Sequence, residues 1–183
     1  MAEPAEASLP VDPEPPTGYV PSVHRDQLRP DGTILRFVET VQEPVKHLSA
    51  RSKARKHALD ILFEADLRGE DPSDRLDLHR GLPEAPLRQL TEDLVRGVSG
   101  HIDEIDQLIE ASLVSDWTLE RMPRVDRCLA RIAVFELLHT DGSPEVAIQQ
   151  AVLLAQEFST SDSPAFLNGV LANAHVRHRA DAG

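Results

Sequence analysis

Residues 87–109 read LRQLTEDLVRGVSGHIDEIDQLI, and their apolar side chains recur at spacings of three and four residues. The recurring positions are Leu87, Leu90, Leu94, Val98, Ile102, Ile105 and Ile109. This period is typical of one buried face of an α-helix. Because Gly97 and Gly100 weaken a helix, the stretch predicts either one long helix or two nearly collinear ones.

The same period extends from Ser49 almost to the end of the chain and predicts an all-α fold. We expect a compact bundle of six or seven helices over residues 48–176, with no alternating strand pattern. Capping and helix-breaking residues predict a first helix ending at Gly69 and a short helix from an N-cap at Ser73 to Arg80. They also predict a helix with Pro123 in its first turn. The last helix is predicted to start near Pro164, and the tail from Arg177 to fray.

The first 47 residues differ in composition from the remainder. Eight of the 14 prolines lie at or before Pro44, among scattered acidic residues and few large apolar ones. Such a segment buries too little surface to offset its chain entropy, so we expect residues 1–47 to be disordered. Thr33–Val41 is the one stretch with the composition to form a short helix or strand against a partner.

Charge and composition limit the functional classes. The 183 residues include 31 Asp+Glu against 19 Lys+Arg, a net charge of −12, which argues against a generic binder of polyanions. Four basic and eight acidic residues fall in 1–47, and 15 basic and 23 acidic in 48–183. The single Cys128 excludes an intrachain disulfide. Neither a membrane span nor a signal peptide is visible, so we expect a soluble, cytoplasmic protein.

Residues 51–56, RSKARK, hold four cations and no acid. They lie at the start of the first predicted helix, where positive charge opposes the helix dipole and adds no stability. A need for positive charge, as in contacts with RNA or DNA phosphates, explains them. The alternative is a solvated helix start that balances Asp60 and Glu64.

Residues 159–169, STSDSPAFLNG, form the second candidate site. Asp162 and Ser163 can cap the last helix, with Phe166 as a core residue. Alternatively, a base stacks on Phe166 while Asp162 or Ser163 accepts hydrogen bonds from base edges, as in recognition of single-stranded RNA.

Residues 117–132, WTLERMPRVDRCLARI, place their charges on the face opposite Val125, Leu129 and Ile132. This face is either solvated or a docking face for a protein. We expect Trp117 to anchor the core or a junction between subdomains.

Catalytic templates are missing from the sequence. There is no glycine-rich phosphate loop and no G-x-S-x-G motif. His175 and His178 lack a carboxylate or cysteine at a spacing suited to a metal, and Cys128 adjoins a buried stripe. We therefore expect no enzymatic activity, no cofactor and no metal site.

Three runs together resemble the NusB family of transcription antitermination factors. They are ARSKARKHALDILFEAD (50–66), WTLERMPRVDRCLARIAVFELL (117–138) and VAIQQAVLLAQEFSTSDSPAFLNGVL (146–171). The resemblance covers about residues 49–175 and implies an all-α fold of two small helical subdomains. It also implies binding of the boxA element of nascent ribosomal RNA together with NusE, a small-subunit ribosomal protein. The heterodimer would join other Nus factors on RNA polymerase and suppress termination without catalysis.

The resemblance also implies the residues of the site. The RNA-binding positions are Arg51, Lys53, Arg55, Lys56, Phe63, Asp162, Ser163 and Phe166, and the NusE-facing positions are Glu120 and Asp126. Ser52 stands where many relatives carry a further cation, which implies a greater dependence of RNA binding on NusE.

Two other functions remain open at the level of sequence. The same helical module occurs at the N-terminus of ribosomal RNA cytosine methyltransferases, but no strand or glycine-rich loop follows it here, so we expect no methyl transfer. A protein-interaction scaffold without RNA binding is the other alternative. Some family members also form homodimers that cover the RNA surface, and the sequence does not decide this point.

Overall fold

A computed structural model describes residues 23–28, 34–39, 49–81, 87–114 and 117–181. The chain divides into two compact units, Met1–His47 and Leu48–Gly183. Among the described residues, no helix is both long and apolar enough to cross a membrane.

The first unit contains a two-stranded antiparallel sheet. Strand β1 (Val23–Leu28) pairs with β2 (Ile34–Glu39), so that Val23 lies opposite Glu39 and Leu28 opposite Ile34. The expectation of disorder does not hold for β1, whereas β2 lies within Thr33–Val41, the stretch set apart as able to form a short helix or strand. Two features of the sequence favour these strands. The run ILRFVE at 34–39 is rich in β-branched and aromatic residues, and Pro-Asp-Gly at 30–32 is a turn signal. The rest of 1–47 lies outside the described residues.

The second unit is all-helical in its described part, as predicted. Its seven α-helices are α1 (Ala50–Arg68), α2 (Pro72–Arg80), α3 (Gln89–Gly100), α4 (Ile102–Ser112), α5 (Arg124–His139), α6 (Pro144–Phe158) and α7 (Ser163–Asp181). A single 3-10 turn, Leu119–Arg121, precedes α5. The opening stretch forms two helices rather than one, because the backbone leaves the helical conformation at His101, directly after Gly100.

Several helix ends differ from the predicted ones. Asp71, and not Ser73, is the N-cap of α2, since its carboxylate accepts the Ser73 backbone N–H at 2.7 Å. Pro123 is the N-cap of α5 and precedes its first turn. Helix α7 continues to Asp181, so the predicted fraying from Arg177 is wrong. Helix α1 ends at Gly69, as predicted. Gly69 has a φ of 68°, a left-handed conformation that glycine adopts without steric cost.

Helix α5 joins two groups of helices around one continuous core. Helices α1, α2 and α3 pack on one another, α4 to α7 pack on one another, and α5 contacts α1 and α3 as well. The largest fully buried side chains come from both groups: Ile61, Leu76, Leu94, Ile105, Ile109, Leu129, Leu154, Leu167 and Leu171. Burial raises the pKa of the Cys128 thiol to about 12, so Cys128 packs as an apolar residue.

Candidate nucleic-acid interface

The start of α1 presents two cations to solvent. Ser49 is the N-cap, its hydroxyl accepting the Ser52 backbone N–H at 3.1 Å. Arg51 and Lys53 are exposed, and neither has an ion-pair partner among the residues that the structure describes. Their charges are therefore available to an external anion, as the sequence predicts.

Arg55 points into the protein instead. Its Nε donates to Glu136 Oε2 at 2.8 Å and its Nη2 to Oε1 at 2.6 Å, and the two side chains are 8% and 10% exposed. The Arg55 guanidinium is therefore committed to Glu136 in this structure, and its contact with RNA stays a prediction. Arg55 shares the inner face of α1 with Ser52, whose hydroxyl donates to Gln150 Oε1 on α6 at 2.6 Å. Ser52 and Arg55 are three residues apart, so they lie on the same, buried face of α1. The four cations of residues 51–56 therefore cannot all reach solvent.

A shallow groove of about 430 Å³ lies beside the exposed cations. Its lining residues are Lys53, Lys56, His57, Asp60, Arg88, Glu157 and Phe158. Lys56 Nζ donates to Asp60 at 2.8 Å and lies 5.5 Å from the centre of the Phe158 ring. Burial lowers the pKa of the His57 imidazole, so the cations of the groove at neutral pH are Lys53, Lys56 and Arg88.

Sequence reasoning missed Arg88 and Phe158 as members of this surface. Arg88 precedes α3, and Phe158 ends α6 with 36% of its surface exposed. In the sequence, Phe158 continues the apolar stripe of α6, so nothing there sets it apart from a core residue. An isolated cation before a helix carries no signal of its own, so only the packing of α1 on its neighbours brings Arg88 to the groove.

The turn between α6 and α7 holds the second predicted site. Ser163 is 1% exposed, and its hydroxyl bonds Ser159 Oγ at 2.9 Å and Thr160 Oγ1 at 2.8 Å. The Ser163 hydroxyl is thus used inside the turn, and recognition of a base by Ser163 stays a prediction. Asp162 is exposed, and its carbonyl accepts the Phe166 backbone N–H at 3.1 Å. Among the described residues, none forms a hydrogen bond or an ion pair with the Asp162 carboxylate.

Phe166 takes part in an aromatic pair. It is half-buried against the core, and its ring centre lies 5.0 Å from that of Trp117 at an angle of 42°. Trp117 is 38% exposed, and the Arg121 guanidinium lies 5.5 Å from its ring centre. The tryptophan, expected inside, thus offers an aromatic surface to solvent. Phe63 is half-buried and packs against the core.

The two residues predicted to face NusE lie in different environments. Glu120 is exposed on the 3-10 turn. Asp126 is 1% exposed and accepts a hydrogen bond from Ser159 Oγ at 2.6 Å, which ties α5 to the turn before α7. The Asp126 carboxylate is thus occupied inside the fold, and its assignment to the partner face stays a prediction.

These features lie on a helical fold that matches a known family. The family model described as the NusB family matches residues 52–175. The chain belongs to the NusB family. The NusB match includes α1 from Ser52 onward, with Lys53 but not Arg51, and the turn before α7.

Two curated relatives are named transcription antitermination protein NusB. The one from Cutibacterium acnes is 53% identical over 124 residues, which are 68% of this chain. The match spans only 48% of that relative, about half of its length. The NusB of Acidothermus cellulolyticus is 49% identical over 126 residues, covering 68% of this chain and 86% of the relative.

A solved NusB structure extends the likeness to three dimensions. A crystal structure of the antitermination factors NusB and NusE in complex with dsRNA superposes with a TM-score of 0.61 at 28% identity. The match covers 69% of this chain and 96% of that chain. The second unit therefore has the NusB fold.

Proposed function

We propose that this chain is an RNA-binding transcription antitermination factor. It binds a boxA-type sequence in nascent ribosomal RNA as a heterodimer with NusE and joins the other Nus factors on RNA polymerase in the cytoplasm. The observation that carries the proposal is the pair Arg51 and Lys53, exposed and without ion-pair partners within the described part of a chain of net charge −12. The role is binding, and the chain catalyses no reaction.

In the proposed complex, different residues contact the RNA backbone and the RNA bases. Arg51 and Lys53 bind backbone phosphates, which supply affinity but no sequence information. A base stacks on the partly exposed aromatic pair of Trp117 and Phe166, and the Asp162 carboxylate accepts hydrogen bonds from base-edge donors. Such a surface is specific because the acidic remainder of the chain repels other RNA.

The names of the relatives support the same proposal. Both curated relatives are called transcription antitermination proteins, and one structural neighbour is complexed with NusE and dsRNA. The domain that carries this activity is residues 48–176. The segment 1–47, with four basic and eight acidic residues, has no part in RNA binding or competes weakly with RNA for the basic surface.

The direct test measures RNA affinity with the full chain. The protein is mixed with NusE and titrated with a boxA-type RNA and with a scrambled RNA of equal length and composition. We expect tighter binding of the boxA-type RNA, and a further gain when NusE is present. Equal affinity for the two RNAs would contradict RNA recognition and favour a protein scaffold.

Light scattering in the same solutions tests self-association. A homodimer that covers the RNA surface should dissociate when RNA is added, because RNA then binds only the monomer. An oligomeric state that is unchanged by saturating RNA would contradict such a masking dimer.

A further inference from the structure

Two histidines and a glutamate meet where α4 begins and α5 ends. His101 lies at the α3–α4 junction, Glu104 in the first turn of α4, and His139 is the last residue of α5. His139 Nε2 is 3.0 Å from Glu104 Oε2, and His101 Nδ1 is 3.4 Å from the same oxygen. One ligand atom from each side chain lies within 4.8 Å of the other two.

The imidazole rings of His101 and His139 stack on each other and lie next to the ring of Phe135. Their ring centres are 3.9 Å apart at 28°, and the Phe135 ring lies 5.4 Å from His139 and 6.2 Å from His101. Phe135 is itself held in place, because it packs directly over Gly97, where any side chain would collide with its ring. The two imidazole rings therefore pack on a ring that is itself fixed by the fold, and contacts at the surface are not all that positions them.

We propose that His101, Glu104 and His139 bind a divalent transition-metal ion of the Zn²⁺ type. Two imidazole nitrogens and a carboxylate oxygen are a donor set that Zn²⁺ accepts, with water as the fourth ligand. With Zn–N and Zn–O distances of about 2.0–2.2 Å, neighbouring ligands of a tetrahedral ion lie about 3.3–3.6 Å apart. The two contacts with Glu104 are already near that separation, and the stacked imidazoles must rotate so that their in-plane lone pairs converge on the ion.

The site differs from the proposed RNA surface in position and in consequence. None of its three residues lines the groove beside Lys53 or contacts the Trp117–Phe166 pair. The metal would link α4 to α5, and binding to the folded state alone would stabilise that state. This inference does not depend on the proposed RNA function.

No metal site was expected from the sequence, because no carboxylate or cysteine joins His175, His178 or His139 at a suitable spacing. Glu104 and His139 are 35 residues apart, so no local spacing joins them. The fold also excludes the one thiol: Cys128 is fully buried and is not among the three ligands.

The test uses the full-length protein after treatment with a chelator. Zn²⁺ binding is measured by calorimetry, and Co²⁺ is added separately because its visible absorption reports a tetrahedral site. We expect one site per chain, and at least a tenfold loss of Zn²⁺ affinity in Glu104→Gln and in His139→Gln. A rise in melting temperature on addition of Zn²⁺ should occur in the wild type and disappear in the two variants.

His178→Asn is the matched control, because it removes one histidine of the i, i+3 pair on α7. We expect its Zn²⁺ affinity to equal that of the wild type. The proposal is overturned if the wild type binds no Zn²⁺, if the affinity survives both Glu104→Gln and His139→Gln, or if His178→Asn abolishes it. Circular dichroism of each variant checks that the helices are intact.

Discussion

The guanidinium of Arg55 and the carboxylate of Glu136 form a two-bond ion pair that joins α1 to α5 inside the protein. The bonds measure 2.8 and 2.6 Å, and both side chains are about nine-tenths buried. One of the four cations in the basic segment is thereby committed to the fold. In the proposed RNA-binding role, the phosphate contacts fall to its exposed neighbours Arg51 and Lys53.

Arg55→Ala should destabilise the fold by about 3–5 kcal/mol, because it leaves the buried Glu136 carboxylate without a partner. Urea denaturation measures the change. Lys53→Ala, two residues away and exposed, is the control and should change stability by no more than about 0.5 kcal/mol. Similar small losses for both variants would contradict a structural role for Arg55.

The double variant Arg51→Ala/Lys53→Ala should weaken binding of boxA-type RNA and flatten its salt dependence. Each phosphate contact to a single strand contributes about 0.7 to the slope of log affinity against log salt, so two contacts remove about 1.4. Fluorescence anisotropy over a range of salt concentrations measures both quantities.

Arg68→Ala controls for the loss of charge on the same helix. It removes one cation from the last turn of α1, about 26 Å along the axis from Arg51. A salt slope that drops as far in Arg68→Ala as in the double variant would show that net charge, and not the start of α1, governs binding.

Trp117→Ala should lower RNA affinity by about 1–3 kcal/mol, the range for loss of one stacked base. Phe166→Leu keeps apolar volume beneath Trp117 but removes the ring that packs on it, so we expect a smaller loss. Filter binding or anisotropy measures affinity, and thermal melting measures stability in parallel. If stability falls in Trp117→Ala while RNA affinity stays at the wild-type value, the aromatic pair is purely structural.

Asp126→Ala and Glu120→Ala should separate folding from partner binding. Asp126→Ala leaves the Ser159 hydroxyl without its acceptor and should cost about 1–3 kcal/mol of stability. Glu120→Ala should leave stability within about 0.5 kcal/mol and weaken NusE binding, since we propose that this exposed carboxylate faces NusE. NusE affinity that is unchanged in Glu120→Ala would remove that residue from the partner face.

Asp66 should make the fold sensitive to acid. Its carboxylate accepts Arg127 Nη2 at 2.6 Å and Arg124 Nη1 at 2.9 Å, and Arg131 Nη1 lies 3.3 Å away. Burial alone would raise the pKa of Asp66, but the hydrogen bond from Arg127 and the three positive charges outweigh it and lower the pKa. The resulting stability is present above the ordinary aspartate pKa and is lost as the pH falls through the lowered value.

Denaturation between pH 7 and pH 3 measures this dependence. Asp66→Asn should be less stable than the wild type at pH 7 and should lose less stability below pH 4, because the titrating group is gone. Glu110→Gln, which removes an exposed carboxylate from α4, should follow the wild-type curve. Parallel curves for Asp66→Asn and the wild type would contradict the assignment.

The helices were predictable because their signals are local. An apolar residue every three or four positions defines a buried stripe, and Gly69 defines the end of α1 through its left-handed backbone. The short helix α2 was predicted, but its cap was placed at Ser73 instead of Asp71, since both residue types cap helices and only geometry chooses between them. Strand β1 was missed because proline and acidic composition outweighed a six-residue strand signal.

The site was less predictable, for a different reason. Local sequence places Arg51, Lys53, Arg55 and Lys56 on one helix but does not say which side of it faces another helix. Helix α5 supplies Glu136 from 81 positions away, and that contact turns Arg55 inward while Arg51 and Lys53 stay in solvent. The same holds for Asp126 and Ser163, which look like surface polar residues in the sequence and are hydrogen-bonded inside the fold.

The amino-acid sequence by itself determined the helical architecture, the basic start of α1 and the family, because these depend on periodicity, caps and runs of residue types. Only the tertiary structure decided which polar side chains remain available, and it brought His101 and Glu104 to His139 and Trp117 to Phe166. The physical reason is that burial and pairing depend on neighbours far apart in the chain. A charge is a binding residue only where no such neighbour has neutralised it.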